Sequence, residues 1–324
     1  MMMDESKPTI LISKCIEGKP CRYDGGMFKN SFVKELKNYV NVIEVCPEVE
    51  IGLPTPREAL RLINKTGEIE LVVSSTGENY TKKMNEFCDE FINKLKGTEI
   101  HGVILKSKSP SCGLKDTSLY KDFGKCCKLQ EKVSGQFARK MLESYPQVAI
   151  EDDGRLSNYN IREQFLTRIF TLYDFDKVRK ENSVNKLIDF QSRYKYLLMA
   201  YNQSKQKELG KIVAGATKEN LEDSLNLYSE ILSKALSSPL KKSHNINMLL
   251  HLFGYFSKDL SKEEKSFFLD NLEMYHDSRV PFSVPLTIIK GWVIRFDNEY
   301  LLNQRIFEPY PEELITVTDS GKGI

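Results

Sequence analysis

The sequence has no apolar run approaching the roughly 18–20 residues that a bilayer span needs, and its first residues, MMMDESKP, are acidic and polar rather than a signal peptide. Histidine is scarce. The four present (His101, His244, His251 and His276) stand in no metal-ligand spacing. Strong bulk charge is also missing: the net charge is +2 and the pI about 8.0. Residues 1–150 carry 23 basic and 20 acidic side chains and the rest 24 and 25, so any nucleic-acid surface must be a local patch rather than a basic domain. The seven cysteines are odd in number and lack disulfide-framework spacing, which points to a reducing compartment, a cytoplasmic protein, and thiols that are buried or bound to metal.

With 324 residues the chain is long enough for two domains. Residues 7–150 alternate between short β-branched runs (Thr9–Cys15, Val40–Cys46, Ile69–Ser75, His101–Ser107) and amphipathic stretches (Ser31–Tyr39, Thr55–Asn64, Thr81–Lys96, Glu131–Ser144). Thr55-Pro56-Arg57-Glu58 reads as a helix start, with Thr at the cap and Pro at the first helical position. Such alternation predicts a parallel sheet with helices on both faces. From about residue 150 the period changes to 3.6, over 160–180, 183–207, 218–235, 241–258 and 262–276; only Ser283–Ile289 hints at a strand. The expected fold is an α/β parallel-sheet, Rossmann-like domain over 1–148, followed by an all-α domain over 149–324.

Sites in parallel sheets form beyond the carboxyl ends of the strands. Cys15, Cys46 and Cys112 each end or follow one of the runs, and the fourth run ends in Ser74-Ser75-Thr76-Gly77. A lone cysteine usually fills a core; three at equivalent strand ends suggest a shared ligand. Zinc would ask for a fourth Cys or His, whereas three thiolates suit a 4Fe–4S cluster with one iron left open to a substrate atom. Glu48 and Ser109 lie beside these thiols and read equally well as a loop carboxylate and a turn hydroxyl. Arg22 and Asp24 could contact substrate or simply pair with each other. Cys88 falls in a helical pattern and is expected in the core, while Cys126-Cys127 reads as an exposed pair.

The segments LISKCIEGKPCRYDGG, CPEVEIGLPTPRE, GVILKSKSPSCG and GQFARKMLE resemble the thiouracil desulfidase family across residues 8–146. EDDGRLSNYNIREQFLTRIF, SRYKYLLMAYNQ, LLHLFGYF, VPFSVPLTIIKG and EPYPEEL are similar to the helical domain often fused to it. The resemblance implies a 4Fe–4S cluster held by Cys15, Cys46 and Cys112, with catalytic roles for Glu48 and Ser109. It also implies non-redox removal of sulfur from 4-thiouridine in tRNA, needing no nicotinamide or flavin. Cys21 departs from the family, which usually has an apolar residue there, and it could replace Cys15. RNA contacts would come from Lys106, Lys108 and Lys115 near Cys112, and from the helical domain's Arg193, Tyr194, Lys195 and Tyr196, the lysines at 205, 207 and 211, and Lys241, Lys242 and His244. Two other functions fit the same residues: desulfuration of free thiouracil or thionucleotides, and a non-catalytic iron–sulfur sensor or RNA-binding module. Oligomeric state is not legible.

Overall fold

The computed structural model describes residues 4–65 and 67–316. In chain order its elements are β1 (Thr9–Ser13), α1 (Ser31–Leu36), β2 (Asn41–Val45), α2 (Pro47–Glu50), β3 (Leu60–Asn64), β4 (Ile69–Val73), α3 (Thr81–Leu95), β5 (Gly102–Leu105), β6 (Thr117–Tyr120), β7 (Lys128–Val133), α4 (Gln136–Ser144) and β8 (Ala149–Asp152). Helices alone follow: α5 (Tyr159–Glu181), α6 (Val184–Tyr201), α7 (Gln203–Gly215), α8 (Leu221–Leu236), α9 (Lys242–Gly254), α10 (Lys262–His276), α11 (Ser283–Arg295) and α12 (Glu299–Leu302). The chain divides into two compact units, residues up to Tyr173 with those from Glu313 onward, and Asp174–Glu312. No helix among the described residues is long and apolar enough to cross a membrane.

The first unit contains two four-stranded sheets rather than one. β2-β1-β5-β8 is wholly parallel. Its strand β1, TILIS, is buried at every position, as a central strand covered on both faces must be. The second sheet, β4-β3-β6-β7, is mixed: β3 pairs antiparallel with β4 and parallel with β6, and β7 closes the edge antiparallel to β6. Strand β7, KLQEKV, keeps its first five residues exposed, and its charges blunt a free sheet edge. Leu62 and Leu71 from the second sheet share a core with Leu11 and Val103 from the first and with Met84, Cys88, Phe137 and Met141 of α3 and α4. The rings of Phe87 and Phe91 on α3 meet Phe137 on α4 at 6.2 and 5.7 Å.

Several of these expectations change. Residues 60–64 form a strand, not the end of a helix from Thr55: Leu60 and Leu62 are buried either side of half-exposed Arg61, and this period of two wins over the cap-like Thr55-Pro56. Ile69–Val73 is consequently an antiparallel partner of that strand, not a member of the parallel sheet. The helix expected from Glu131 begins at Gln136, its front given over to β7. Ser283–Arg295 is helical, with Pro285, Ile289, Trp292 and Val293 buried at helical spacing. The pattern over 183–207 breaks at Asn202, whose side chain caps α7 by accepting from the Lys205 N–H. The first unit also runs past residue 148, because β8 pairs with β5 in the parallel sheet.

Candidate active site

Three strands of the parallel sheet deliver the site. β1 ends at Ser13 and leads to Cys15. β2 ends at Val45, and Cys46 is the N-terminal cap of the single-turn α2, which carries Glu48. β5 ends at Leu105 and opens into a loop through Lys106, Ser109 and Cys112. Around their carboxyl ends lies a cavity of about 590 Å³, within the first unit, lined by Cys15, Cys21, Cys46 and Cys112 together with Glu48, Arg57 and Ser109. The convergence expected of Cys15, Cys46 and Cys112 is thus present, with Cys21 as a fourth thiol. Residues 74–77 take no part, since β4 lies in the other sheet.

The Cys112 loop is tightly built. The Ser109 hydroxyl accepts from the backbone N–H of Ser111 (3.2 Å) and of Cys112 (3.1 Å), and the Ser109 carbonyl accepts from Gly113 N–H (2.8 Å) and the Thr117 hydroxyl (2.9 Å). A Cβ on Gly113 would lie 2.2 Å from Thr117 Oγ1, and one on Gly135 would lie 2.5 Å from the Ser111 backbone. Ser109 therefore shapes the turn.

The hydroxyl on the carboxylate is that of Ser111, fully buried, which donates to Glu48 Oε1 at 2.9 Å. Glu48 Oε2 accepts from Arg57 Nε at 2.9 Å and Nη2 at 2.6 Å. The Arg57 guanidinium also donates to the carbonyls of Cys21 (3.1 Å from each Nη) and Pro54 (3.2 Å) and to the Thr55 hydroxyl (3.2 Å). Arg57 and Ser111 were assigned no role from sequence. Arg57 was hidden by its helix-start context, and nothing in SPSC marks which hydroxyl turns inward.

Three of the cavity thiols, Cys21, Cys46 and Cys112, are reluctant to ionise. The hydrogen bond from Cys21 to the Cys15 thiol, reinforced by burial, pushes Cys21 up to about 11, while contact with the Cys46 thiol acts the other way. Its hydrogen bond to Cys21, then burial, pushes Cys46 far above the ordinary thiol range. Burial does the same to Cys112, partly offset by the Ser13 and Ser109 side chains. These three thiols hold their protons at neutral pH until a cation takes the protons' place.

Residues 10–153 match the family model described as 2-thiouracil desulfurase, and residues 195–311 match one described as a protein of unknown function, DUF1722. The uncharacterized protein YbgA of Escherichia coli (strain K12) is 31% identical over 159 residues, 48% of this chain and 93% of the relative. The uncharacterized protein YbbK of Bacillus subtilis (strain 168) is 35% identical over 109 residues, 32% of this chain and 72% of the relative. Residues 10–153 belong to the 2-thiouracil desulfurase family. It is also similar to a solved structure titled as the 4Fe-4S-dependent thiouracil desulfidase TudS, at 24% identity and a TM-score of 0.37, over 46% of this chain and 93% of that one.

Within the desulfurase domain, the expected substrate cations are mostly engaged. The Arg22 guanidinium lines the cavity but forks onto Asp24 at 3.2 and 3.1 Å, and Asp24 itself is not on the wall. Lys106 Nζ donates to Asp153 Oδ2 (2.7 Å) and Ser107 Oγ (3.0 Å) and sits 4.3 Å from the Phe28 ring centroid, so it braces the β5 and β8 ends. Lys108 lines the cavity from a left-handed backbone (φ +60°) whose N–H is held by the Asp116 carboxylate. Arg193 and Lys195 belong to the second unit and do not line this cavity: Arg193 reaches Asp189 at 3.4 Å, and Lys195 lies 5.3 Å from the Tyr196 ring. Tyr194 and Tyr196 are buried, so neither offers a face for base stacking. Cys88 is buried on α3 as expected, and Cys127 is exposed while Cys126 is half-buried.

Proposed function

We propose that the first unit removes sulfur from a thiolated pyrimidine base such as thiouracil, replacing C=S by C=O with water and releasing sulfide. The observation that carries this reading is a thiol-lined cavity with a buried, oriented carboxylate in its wall. A carboxylate offers about four acceptor positions. Glu48 uses three of them on Arg57 and Ser111, which leaves one on Oε1. That position can take a proton from a water directed at the thiocarbonyl carbon, and Glu48 then returns it to the departing sulfur. Ser111 and Arg57 fix the carboxylate so that only Oε1 is available. No electrons are exchanged, and the atoms balance as base plus water to oxygenated base plus hydrogen sulfide.

The donor set fits an iron–sulfur cofactor. Among the described residues no three His, Cys, Asp or Glu side chains are arranged to hold a single metal ion. A four-iron cluster spreads its ligands over separate irons and needs no such convergence, and soft thiolates without imidazole are the ligands it prefers. Cys15, Cys46 and Cys112 would hold it, one from each of the three strand ends. When bound, a cluster with one iron free of protein supplies a Lewis acid for the soft thiocarbonyl sulfur.

Anaerobic reconstitution with iron and sulfide, followed by sulfide release from thiouracil, tests the reading. Wild type should show iron–sulfur absorbance and turnover, and Cys112→Ala should lose both. A reconstituted Cys112→Ala with full absorbance and activity would remove the cluster assignment. Thiolated tRNA run beside free thiouracil and thiouridine monophosphate separates the substrate classes. Turnover confined to tRNA, falling steeply with salt, would replace the free base by an RNA substrate.

A further inference from the structure

Cys21 stands in the cavity with no task in the chemistry above, yet it is placed as carefully as its neighbours. Its thiol contacts both the Cys15 and the Cys46 thiols. Its carbonyl is gripped by both Nη atoms of Arg57 at 3.1 Å and by the Cys46 thiol at 3.7 Å. Its N–H donates to the Lys19 carbonyl at 2.8 Å. The guanidinium that fixes Cys21 is the one that fixes Glu48, so the thiol and the carboxylate keep a set relation.

We propose that Cys21 is a displaceable fourth ligand: it holds the iron that Cys15, Cys46 and Cys112 leave free, and an incoming thiocarbonyl sulfur takes its place. This rests on the cluster reading. The exchange moves no electrons. The iron–sulfur bond to Cys21 breaks, one to the substrate sulfur forms, and the freed thiolate takes a proton from solvent. Self-ligation closes the labile iron against water and oxidants while the cavity is empty.

The test is the stability of the fourth iron. Reconstituted wild type, Cys21→Ala and Cys21→Ser are treated with a mild one-electron oxidant in the absence of substrate. Conversion of the four-iron to the three-iron form is followed by electron paramagnetic resonance and iron content. The serine variant keeps the volume and hydrogen bonding, so it separates lost ligation from lost packing. Both variants should convert at least about tenfold faster than wild type, equivalent to about 1.4 kcal/mol of barrier. Equal rates in all three proteins would overturn the proposal while leaving the cluster reading intact. Variants unable to assemble any cluster would make Cys21 a primary ligand and overturn it too. A wild type that assembles no cluster would overturn the cluster reading itself.

Discussion

Arg57→Met is the substitution whose cost the structure defines most closely. The Arg57 side chain is 4% exposed and that of Glu48 12%, and two charge-assisted hydrogen bonds join them. Removing the guanidinium leaves the carboxylate in the wall without a counter-charge and takes both Nη donors from the Cys21 carbonyl. Breaking one side of a buried pair costs about 3–5 kcal/mol, a large share of a typical 5–15 kcal/mol stability. With a urea m-value of about 2 kcal/mol/M, the midpoint of the first unit should fall by about 1.5–2.5 M. The chain reports its two units separately: every cysteine lies in the first, and the single tryptophan, Trp292, lies in the second. Reactivity of the thiols with a chromogenic reagent therefore follows the first transition in metal-free protein, and Trp292 fluorescence serves as internal control. Adding Glu48→Gln to Arg57→Met removes the stranded charge while keeping a carbonyl for Ser111, and should recover more than half of the loss. A single variant within about 1 kcal/mol of wild type, or a double variant no more stable than the single, would refute the argument that this pair is buried and mutually dependent.

Glu48→Gln alone should lower sulfide release from thiouracil by about a hundredfold or more, the scale of a lost general base, while cluster absorbance persists; unchanged turnover would remove Glu48 from the mechanism. Ser111→Ala deletes a hydrogen bond to a charged group, worth about 1.5–3 kcal/mol, and should reduce kcat more than Ser109→Ala does; the reverse order would restore Ser109 as the acting hydroxyl. Gly135→Ala drives a Cβ into the Ser111 backbone and should displace the Cys112 loop, read as loss of reconstituted iron; full iron content would show that the loop tolerates the shift. The pushed-up thiols also predict a pH dependence of metal-free stability. Cys21 and Cys88 move from 9.0 to about 11 and about 12, Cys88 through burial, so the folded chain holds these protons where the unfolded chain releases them. Their contribution is whole below about pH 9 and declines as pH rises toward 11–12, so the urea midpoint should fall between pH 8 and 10.5. Cys88→Ala should flatten part of that fall.

The parallel sheet was legible because β1, β2 and β5 are short apolar runs, and because the rule that sites sit at strand carboxyl ends requires no knowledge of strand order. It pointed correctly to the place where Cys15, Cys46 and Cys112 now line one cavity. The second sheet was not legible, for a physical reason. ALRLIN has both helix-forming residues and a period of two, and only its pairing with IELVV decides between them. With that strand misread, Arg57 fell on a supposed helix face and its buried carboxylate partner went unseen. Ser109 and Ser111 illustrate a finer limit. Both are hydroxyls two residues apart in one tight turn, and the motif does not mark which faces inward; the turn is set by close approaches of Gly113 to the Thr117 side chain and of Gly135, from outside the motif, to the Ser111 backbone.

This arrangement gives the second sheet a part in the chemistry. Glu48 belongs to the first sheet's β2 end, but it is oriented by two groups it does not carry itself. Ser111 comes from the β5 loop, and Arg57 from the segment that enters β3. Arg57 in turn holds the carbonyl of Cys21, from the loop after β1. One guanidinium thus ties the thiol segment, the carboxylate and the start of the second sheet. A local disturbance of β3, whose first residue Leu60 lines the same cavity, should therefore reach Glu48 through Arg57. Replacing Leu62, fully buried in the shared core, by alanine costs about 2–5 kcal/mol as a cavity, and through Arg57 it should also weaken turnover. Stability lost without any change in kcat would mean that the segment carrying Arg57 is held by its own contacts with Pro54 and Thr55, and that the second sheet supports the fold alone.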